Sequence, residues 1–291
     1  MLTASPPMPL ELVTAIDDPR LAPYANLRQT NLTRWSGLFI AEGRRVVERL
    51  LASEFHVESV LLSDRRHETV LAEWPAEWVA DVPVLIVPQR LVEVLVGYNF
   101  HAGVLACGRR FEPFGVAETL AICRRSHTVV ACPRITGPDN LGSILRNCAA
   151  LGVDAVLLGP GSCDPFSRRV LRVSMGAPFS LPVAECPTLF DDLISARDAG
   201  GWQLIAAAID GEAEPLAEAI RPERIVLVLG NEAEGLDDDW LAACDRRVMI
   251  PMAAPGDSLN VAVACGVMLH HFLWMAPVVP RRAGDDGSAV D

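Results

Sequence analysis

Apolar segments alternate with amphipathic segments along the chain from residue 128 onward. The run IVLVLG at 225–230 is apolar throughout, as expected for a strand that is buried on both faces. Strands that alternate with helices form a parallel sheet, which helices cover on both sides. We therefore predict an α/β domain with strands at 128–135, 153–159, 202–209, 224–230 and 246–252, and with helices at 140–152, 167–177, 188–200, 237–245 and 258–272.

A smaller α/β domain is predicted before this one. The segment 37–63 has the pattern of a strand, an amphipathic helix and a buried strand, and another strand and helix follow within 82–97. A chain of 291 residues is long enough for two domains. We predict an N-terminal domain at 1–108, a linker at 109–126, a larger domain at 127–276 and a disordered tail at 277–291.

Acidic residues outnumber basic ones, and the net charge is −12 at pH 7. The excess lies in residues 191–291, which hold 18 acidic residues and 7 arginines, whereas residues 1–110 hold 13 acidic residues and 11 arginines. This balance argues against a protein that binds nucleic acid through bulk charge alone. Every basic residue is an arginine, and the planar guanidinium is well suited to binding phosphate.

Eight cysteines occur without a CxxC pair or a zinc-like spacing. We therefore expect free thiols, mostly buried, in a reducing compartment, and no metal site. The N-terminus lacks the basic and apolar regions of a signal peptide, and the longest apolar run, at 261–276, is too short to span a bilayer. These features predict a soluble cytoplasmic protein that does not bind a membrane.

Three predicted strands of the larger domain end in unusual polar sequences, PRITGPDNLGSILR, LVLGNEAEGL and MIPMAAPGDSLNVAVA. Ligands bind beyond the carboxyl ends of strands in open parallel sheets, so these segments form a candidate site. Each also has a structural explanation when it is taken alone. Asn140, and either Asp257 or Ser258, could be helix N-caps, and Arg146 could be a surface residue.

Together, the three segments resemble the three motifs of the SpoU (TrmH-type) class of the SPOUT methyltransferases. The family's motifs are similar to NxGxIxR, LGxExxGL and IPM…SLNV, and this chain has NLGSILR, LGNEAEGL and IPMAAPGDSLNV. The stretches FIAEGRRVVERLL and FHAGVLA resemble the family's auxiliary RNA-recognition domain. The resemblance covers residues 37–276. One departure is Gly137, where many members have an acidic residue.

The resemblance implies a SPOUT fold with a C-terminal trefoil knot, S-adenosylmethionine as the cofactor, and a homodimer whose interface includes the last helix. A pocket for this cofactor needs glycine for close approach of the backbone, apolar walls and a few polar partners. The cofactor-binding residues that the resemblance implies are Leu229, Gly230, Asn231, Gly235, Ile250, Pro251, Met252, Ser258, Leu259 and Asn260.

The implied reaction is methyl transfer to a ribose 2′-hydroxyl of RNA, which is a weak nucleophile until its proton is removed. The resemblance gives Arg146 the ribose-activating role, assisted by the substrate phosphate or by Asn140, Ser258 and Asn260. Glu234 would orient Arg146 or its loop. An arginine is a poor base because its pKa lies above about 12, so we leave the general base unassigned. The two-domain layout favours ribosomal RNA as the substrate, and transfer RNA is the alternative.

Three other functions fit parts of the sequence. Gly159 and Gly161 follow a predicted strand, as in a dinucleotide-binding oxidoreductase, but the third glycine and the acidic partner of that fingerprint are absent. A non-catalytic RNA-binding or assembly protein is the second alternative, and the presence of Arg146, Asn140 and Asn260 favours an enzyme over it. A base-methylating SPOUT relative is the third, although the SLNV motif favours ribose.

Overall fold

The computed structural model describes residues 10–27, 36–112, 114–124, 126–254 and 258–279. The chain divides into two compact units. The first unit comprises Met1–Glu112 and Asp164–Ser180, and the second comprises Pro113–Cys163 and Leu181–Asp291. The segment Asp164–Ser180 therefore packs with the N-terminal unit, although its position in the sequence grouped it with residues 127–276.

A five-stranded mixed sheet forms the first unit, in the order β1-β4-β3-β5-β2. Four of its strands run in the same direction, and β5 runs antiparallel to both of its neighbours, β3 and β2. The rings of Phe39 and Phe166 stack with centroids 5.2 Å apart, which joins the segment Asp164–Ser180 to this core. The elements are β1 (Leu10–Leu12), β2 (Leu38–Glu42), α1 (Arg44–Leu51), β3 (Val57–Ser63), α2 (His67–Glu73), β4 (Val84–Val87), α3 (Gln89–Val96), β5 (Val104–Arg109) and α6 (Arg168–Val173).

A seven-stranded sheet forms the second unit, in the order β10-β13-β9-β12-β6-β7-β8. All of its strand pairs are parallel, which confirms the predicted parallel sheet. Its strands are β6 (Thr128–Cys132), β7 (Ala155–Leu158), β8 (Val183–Glu185), β9 (Gln203–Ala207), β10 (Glu214–Pro215), β12 (Ile225–Leu229) and β13 (Arg246–Met249). Its helices are α4 (Val116–Ile122), α5 (Pro138–Leu151), α7 (Leu189–Gly200), α8 (Asp238–Ala243) and α9 (Val261–His270).

The central strands of this sheet are apolar because helices cover them on both sides. Every residue of β6, β7 and β12 is buried. A separate two-stranded ladder pairs β11 (Arg221–Pro222) with β14 (Val278–Val279), so the start of the predicted disordered tail forms a strand. The remainder of that tail, 280–291, lies outside the described residues.

Helix α5 begins two residues before the predicted start. Gly137 is the N-cap and Pro138 the first helical residue, a position that proline favours because its ring presets the backbone angle. Asn140 therefore lies inside the first turn and is not an N-cap. Its side chain is free to bond elsewhere.

Helix α9 begins later than predicted and has a different cap. Asn260 is the N-cap, since its Oδ1 accepts a hydrogen bond of 2.9 Å from the backbone N–H of Ala262. Ser258 precedes the helix and does not cap it, and Asp257 lies outside the described residues. A π-helical turn, His271–Met275, extends the helix at its other end.

The predicted helix at 167–177 is shorter in the structure because its backbone leaves the helical region. Met175 and Gly176 have φ angles of +57° and +77°, which end α6 and begin a 3-10 turn at Ala177–Phe179. Ser167 caps α6, and its side chain accepts a hydrogen bond from the N–H of Val170.

All eight cysteines are free, and six of them are buried, in agreement with the predicted thiols. The other two, Cys163 and Cys244, are half-buried. Within the described ranges, the helices are all too short or too polar to cross a bilayer.

Candidate functional site

A cavity of about 490 Å³ opens at the carboxyl ends of the parallel strands of the second unit. Its walls come from the ends of β9, β12 and β13 and from the first turns of α9. Crevices at this edge of an open α/β sheet are where such folds bind ligands. The volume lies within the range of small-molecule and cofactor sites, about 300–1,000 Å³.

The structure brings together nine of the ten residues predicted to bind a cofactor. Only Pro251 does not line the cavity. The end of β9, from Ala207 to Asp210, also lines the cavity and was absent from the prediction. The sheet order explains this contribution, because β9 lies beside β12 and its carboxyl end must reach the same edge. The nine predicted lining residues are Leu229, Gly230, Asn231, Gly235, Ile250, Met252, Ser258, Leu259 and Asn260.

A tight glycine-rich turn, residues 230–235, forms one wall of the cavity. Asn231 and Gly235 exchange two backbone hydrogen bonds, of 2.8 and 3.0 Å. Gly235 has a φ of +73°, a left-handed backbone that favours glycine. A Cβ on Gly230 would lie 2.4 Å from the carbonyl carbon of Gly235, so a side chain there would force the turn open. Gly230 therefore permits the close packing of this turn at the edge of the cavity.

The carboxylate of Glu232 joins this turn to the start of α5. Its Oε1 accepts hydrogen bonds from the N–H of Gly137 at 2.9 Å and from Nδ2 of Asn140 at 3.1 Å. Its Oε2 accepts from the N–H of Thr136 at 3.3 Å and from Nδ2 of Asn231 at 3.2 Å. Partial burial raises the pKa of Glu232, but the hydrogen bonds from Asn140 and from main-chain N–H groups outweigh it and leave the pKa below its ordinary value.

Asn140 carries this network across to α9. Its Oδ1 accepts a hydrogen bond of 2.8 Å from Nδ2 of Asn260, whose own Oδ1 caps the helix. The same two amides therefore serve both as site residues and as structural contacts. The structure links the predicted pair Asn140 and Asn260 directly and adds Glu232 to them. The motif LGxExxGL has its glutamate at this position, and that signal could have identified Glu232.

Glu234 was predicted to orient Arg146 or its loop, and in the structure its carboxylate pairs with Arg134. Both side chains of this ion pair are solvent-exposed. The turn at 230–235 explains why Glu232 and Glu234 have different partners. The side-chain Oδ1 of Asn231 accepts hydrogen bonds from the N–H groups of Ala233 and Glu234, and this turn leaves Glu232 beside α5.

Arg146 lies on the exposed side of α5, and among the described residues it has no hydrogen bond or ion pair. Asn140 and Arg146 lie six residues apart on α5. At a rise of about 1.5 Å per residue their positions differ by about 9 Å along the axis, so they do not act through contact with each other. An unpaired guanidinium at this place is available to a phosphate or a ribose.

Gly159, one of the two glycines that resembled a dinucleotide-binding fingerprint, has a packing role. A Cβ on Gly159 would lie 2.3 Å from the carbonyl oxygen of Pro133, so this glycine allows the ends of β6 and β7 to approach each other. Within the described part of the chain, the histidines, cysteines and acidic residues form no cluster suited to a metal ion.

The chain is similar to RNA methyltransferases along most of its length. The sequence profile of the SpoU rRNA methylase family matches residues 127–270. An uncharacterised tRNA/rRNA methyltransferase of Mycobacterium bovis is 37% identical over 262 residues, which cover 87% of this chain and 88% of that protein. A 23S rRNA guanosine 2′-O-methyltransferase of Bacillus subtilis is 29% identical, over 80% of this chain and 87% of that protein.

A solved structure of an rRNA methyltransferase matches most of the chain. The AdoMet-bound rRNA methyltransferase of Sinorhizobium meliloti matches with a TM-score of 0.74 and 26% identity, over 90% of this chain and 96% of that one. The parallel sheet, the cavity at its strand ends and these likenesses define an RNA methyltransferase. Within that class, the chain belongs to the SpoU methylase family, which confirms the predicted family.

Proposed function

We propose that this protein transfers a methyl group from S-adenosylmethionine to a ribose 2′-hydroxyl of RNA, with ribosomal RNA as the favoured substrate and transfer RNA as the alternative. The observation that carries the proposal is the network of Glu232, Asn140 and Asn260 at the mouth of the cavity. It joins the three motifs at one place. The relatives named as 23S rRNA 2′-O-methyltransferases, such as that of Bacillus subtilis, support the ribose and the ribosomal substrate.

The residues of the cavity fit the cofactor. Leu229, Ile250 and Leu259 provide apolar surface for an adenine ring, and Gly230 adds main-chain groups to the lining. Ser258 and Asn260 provide polar groups to the same cavity. When bound, S-adenosylmethionine supplies an electrophilic methyl group, which is the chemistry that the chain's own side chains lack.

The protein's own contribution to the reaction is positioning. We assign Arg146 the task of gripping a substrate phosphate or ribose, because a guanidinium binds phosphate in a fixed two-pronged geometry. Asn140, Ser258 and Asn260 would orient the ribose beside the cavity, and Glu232 would hold Asn140 in place. Holding the hydroxyl in line with the methyl group supplies much of the rate of such a transfer.

A homodimer through α9 and the turn that follows it is part of the proposal. Val263, Val267, Trp274 and Met275 expose between 41% and 69% of their surface, and Val263 and Val267 lie one helical turn apart on α9. An apolar face of this kind fits a partner surface of the same chain. The dimer would place Arg146 of one protomer beside the cavity of its partner. A C-terminal trefoil knot, which the family resemblance implies, would enclose the cofactor.

We also propose that the N-terminal unit selects the RNA. Three pairs of neighbouring arginines, at 44–45, 65–66 and 109–110, support this hypothesis. The surroundings of the three pairs differ. Arg44 pairs with Glu48 and Glu73, and Arg109 pairs with Glu58. Arg65 and Arg66 are exposed, and neither has an ion-pair partner among the described residues. They are therefore the pair best suited to contacts with RNA phosphates.

Calorimetry on the full-length protein tests the cofactor assignment. S-adenosylmethionine and its demethylated product should each bind with micromolar affinity, and should raise the melting temperature by mass action. Folded protein that gives no heat with either ligand would refute the proposal. Methyl transfer to rRNA and to tRNA, purified from a strain that lacks this gene, then decides between the two substrates.

A further inference from the structure

A second asparagine of α5 contacts the first turn of α9, at a distance from the motif network. Nδ2 of Asn147 donates a hydrogen bond of 2.8 Å to the carbonyl oxygen of Ala262. Asn147 is seven residues after Asn140, and seven residues make about two turns of an α-helix. The two side-chain amides therefore project from the same side of α5, toward α9.

The two amides hold neighbouring points of the same helical turn. Asn140 accepts from Asn260, which caps α9, and Asn147 donates to the residue that the cap itself binds. Both backbone polar groups of Ala262 are thus held by side-chain amides, the N–H by Asn260 and the carbonyl oxygen by Asn147. The contact fixes how far α9 is shifted along α5.

Gly266 provides the space for this contact. It lies four residues after Ala262 on α9, and a Cβ at this position would lie 3.2 Å from Nδ2 of Asn147. Such a contact is tighter than ordinary van der Waals packing, so a larger residue would displace the amide. The half-buried Asn147 thus has a tailored place on the neighbouring helix.

The turn that Asn147 holds carries part of the cavity. Leu259, Asn260, Val261 and Ala264 all line it, on either side of Ala262. A shift of α9 along α5 would therefore move one wall of the cavity and the Asn140–Asn260 bond together. Displacements of about 1 Å at a reacting centre are enough to cost large factors in rate.

We infer that Asn147 is a positioning residue for methyl transfer, which sets the register of α9 against α5 and thereby the place of Asn260 and the cavity wall. The inference rests on the proposed function. Asn147 itself does not touch the cavity, so it acts through Ala262.

The test replaces Asn147 with aspartate, which has the same shape but cannot donate a hydrogen bond. The carboxylate would also face the carbonyl oxygen of Ala262, which is unfavourable. We expect cofactor affinity and kcat each to fall about three- to tenfold, the factor that corresponds to one hydrogen bond. The KM for the RNA should change less than kcat, because the proposed function gives the selection of the RNA to the N-terminal unit. Isothermal calorimetry with S-adenosylmethionine and steady-state transfer to the rRNA give these values.

Cys148→Ala is the matched control. Cys148 is the next residue of α5, it is fully buried, and its thiol contacts that of Cys265 on α9. This variant should lower the melting temperature by loosening the same helix pair, while leaving cofactor affinity and kcat near wild type. The side-chain amide of Asn147 is unchanged in the Cys148→Ala variant.

Two results would overturn the inference while leaving the proposed function intact. One is an Asn147→Asp enzyme with wild-type affinity and kcat. The other is a Cys148→Ala enzyme with the same losses as Asn147→Asp, since general loosening would then explain both. A wild-type chain that binds no cofactor would contradict the inference and the proposed function together.

Discussion

The second unit gathers side chains from three strand ends into one cavity, whereas the first unit carries arginines spread over several surface elements. In the cavity, a single carboxylate and two amides hold each other through bonds of 2.8 to 3.1 Å. On the first unit, some arginines such as Arg44 and Arg109 pair with acidic neighbours, whereas others such as Arg65 and Arg66 have no ion pair among the described residues. The geometry of the cavity thus comes from a few residues in short motifs. Any binding of RNA by the first unit would instead depend on which of its arginines have no acidic partner.

Removing the guanidinium of Arg146 in the second unit should have the largest effect. We expect Arg146→Ala and Arg146→Lys each to lower single-turnover methyl transfer about 100-fold, because neither reproduces the two-pronged grip on phosphate or ribose. Cofactor affinity and the oligomeric state should be unchanged. Single-turnover kinetics beside calorimetry measure both quantities, and near-normal transfer by Arg146→Ala would remove this residue from the mechanism.

The two acidic residues of the turn at 230–235, Glu232 and Glu234, allow a matched test within the same loop. Glu232→Gln should lower kcat/KM about 10- to 100-fold, because an amide replaces one of the two acceptor oxygens that hold α5 and the displaced Asn140 would no longer orient the ribose. Glu234→Gln should stay within about twofold of wild type, because its ion pair with Arg134 is exposed and such pairs contribute little. Equal losses in the two variants would contradict the network described for Glu232.

The unpaired and paired arginines of the first unit can be compared in the same way. Arg65→Gln with Arg66→Gln should weaken binding to rRNA about three- to tenfold and lower the salt dependence by roughly 0.7–0.9 per lost phosphate contact. Arg44→Gln with Arg109→Gln should bind nearly as wild type, because acidic neighbours already occupy these side chains. Filter binding over a range of salt concentrations measures both, and identical slopes for the two double variants would refute the distinction.

The smallest predicted effect concerns acid stability in the second unit. The pKa of Glu232 is lowered in the folded chain, so its carboxylate stabilises the fold above the pKa of the unfolded chain. This stabilisation is lost as the pH falls through the lower, folded value. Because the loop is exposed, the contribution should be about 0.5 kcal/mol or less.

Thermal unfolding between about pH 5 and about pH 3 tests this sign. The melting temperature of the wild type should fall slightly more steeply than that of Glu232→Gln, which has no proton to gain at this position. A steeper fall for the variant would mean that another group carries the effect.

The sequence alone predicts those features that depend on neighbouring residues, namely apolar runs and short motifs. The apolar runs predicted the parallel sheet, and the three motifs predicted the family and nine of the cavity's lining residues. These features depend on local pattern or on short spacing. The order of the strands is not local, so the wall formed by the end of β9 could not be assigned before β9 was known to lie beside β12.

The contacts between motifs were less predictable for the same reason. Asn140 and Asn260 are 120 residues apart, and only the packing of α5 on α9 brings their amides together. The choice between Glu232 and Glu234 depends on a five-residue turn, in which the Asn231 side chain holds two N–H groups. Hydropathy does not distinguish two acids that lie two residues apart in one loop.

The central claim is that the cavity of the second unit serves methyl transfer to RNA ribose, and nucleoside mass spectrometry tests it most directly. Total RNA is compared between cells with the gene, cells without it, and deleted cells that express either the wild-type chain or Arg146→Ala. We predict that one 2′-O-methylated nucleoside is lost from the rRNA on deletion and is restored by the wild-type chain but not by Arg146→Ala. An unchanged set of 2′-O-methylated nucleosides in all four samples would contradict the account.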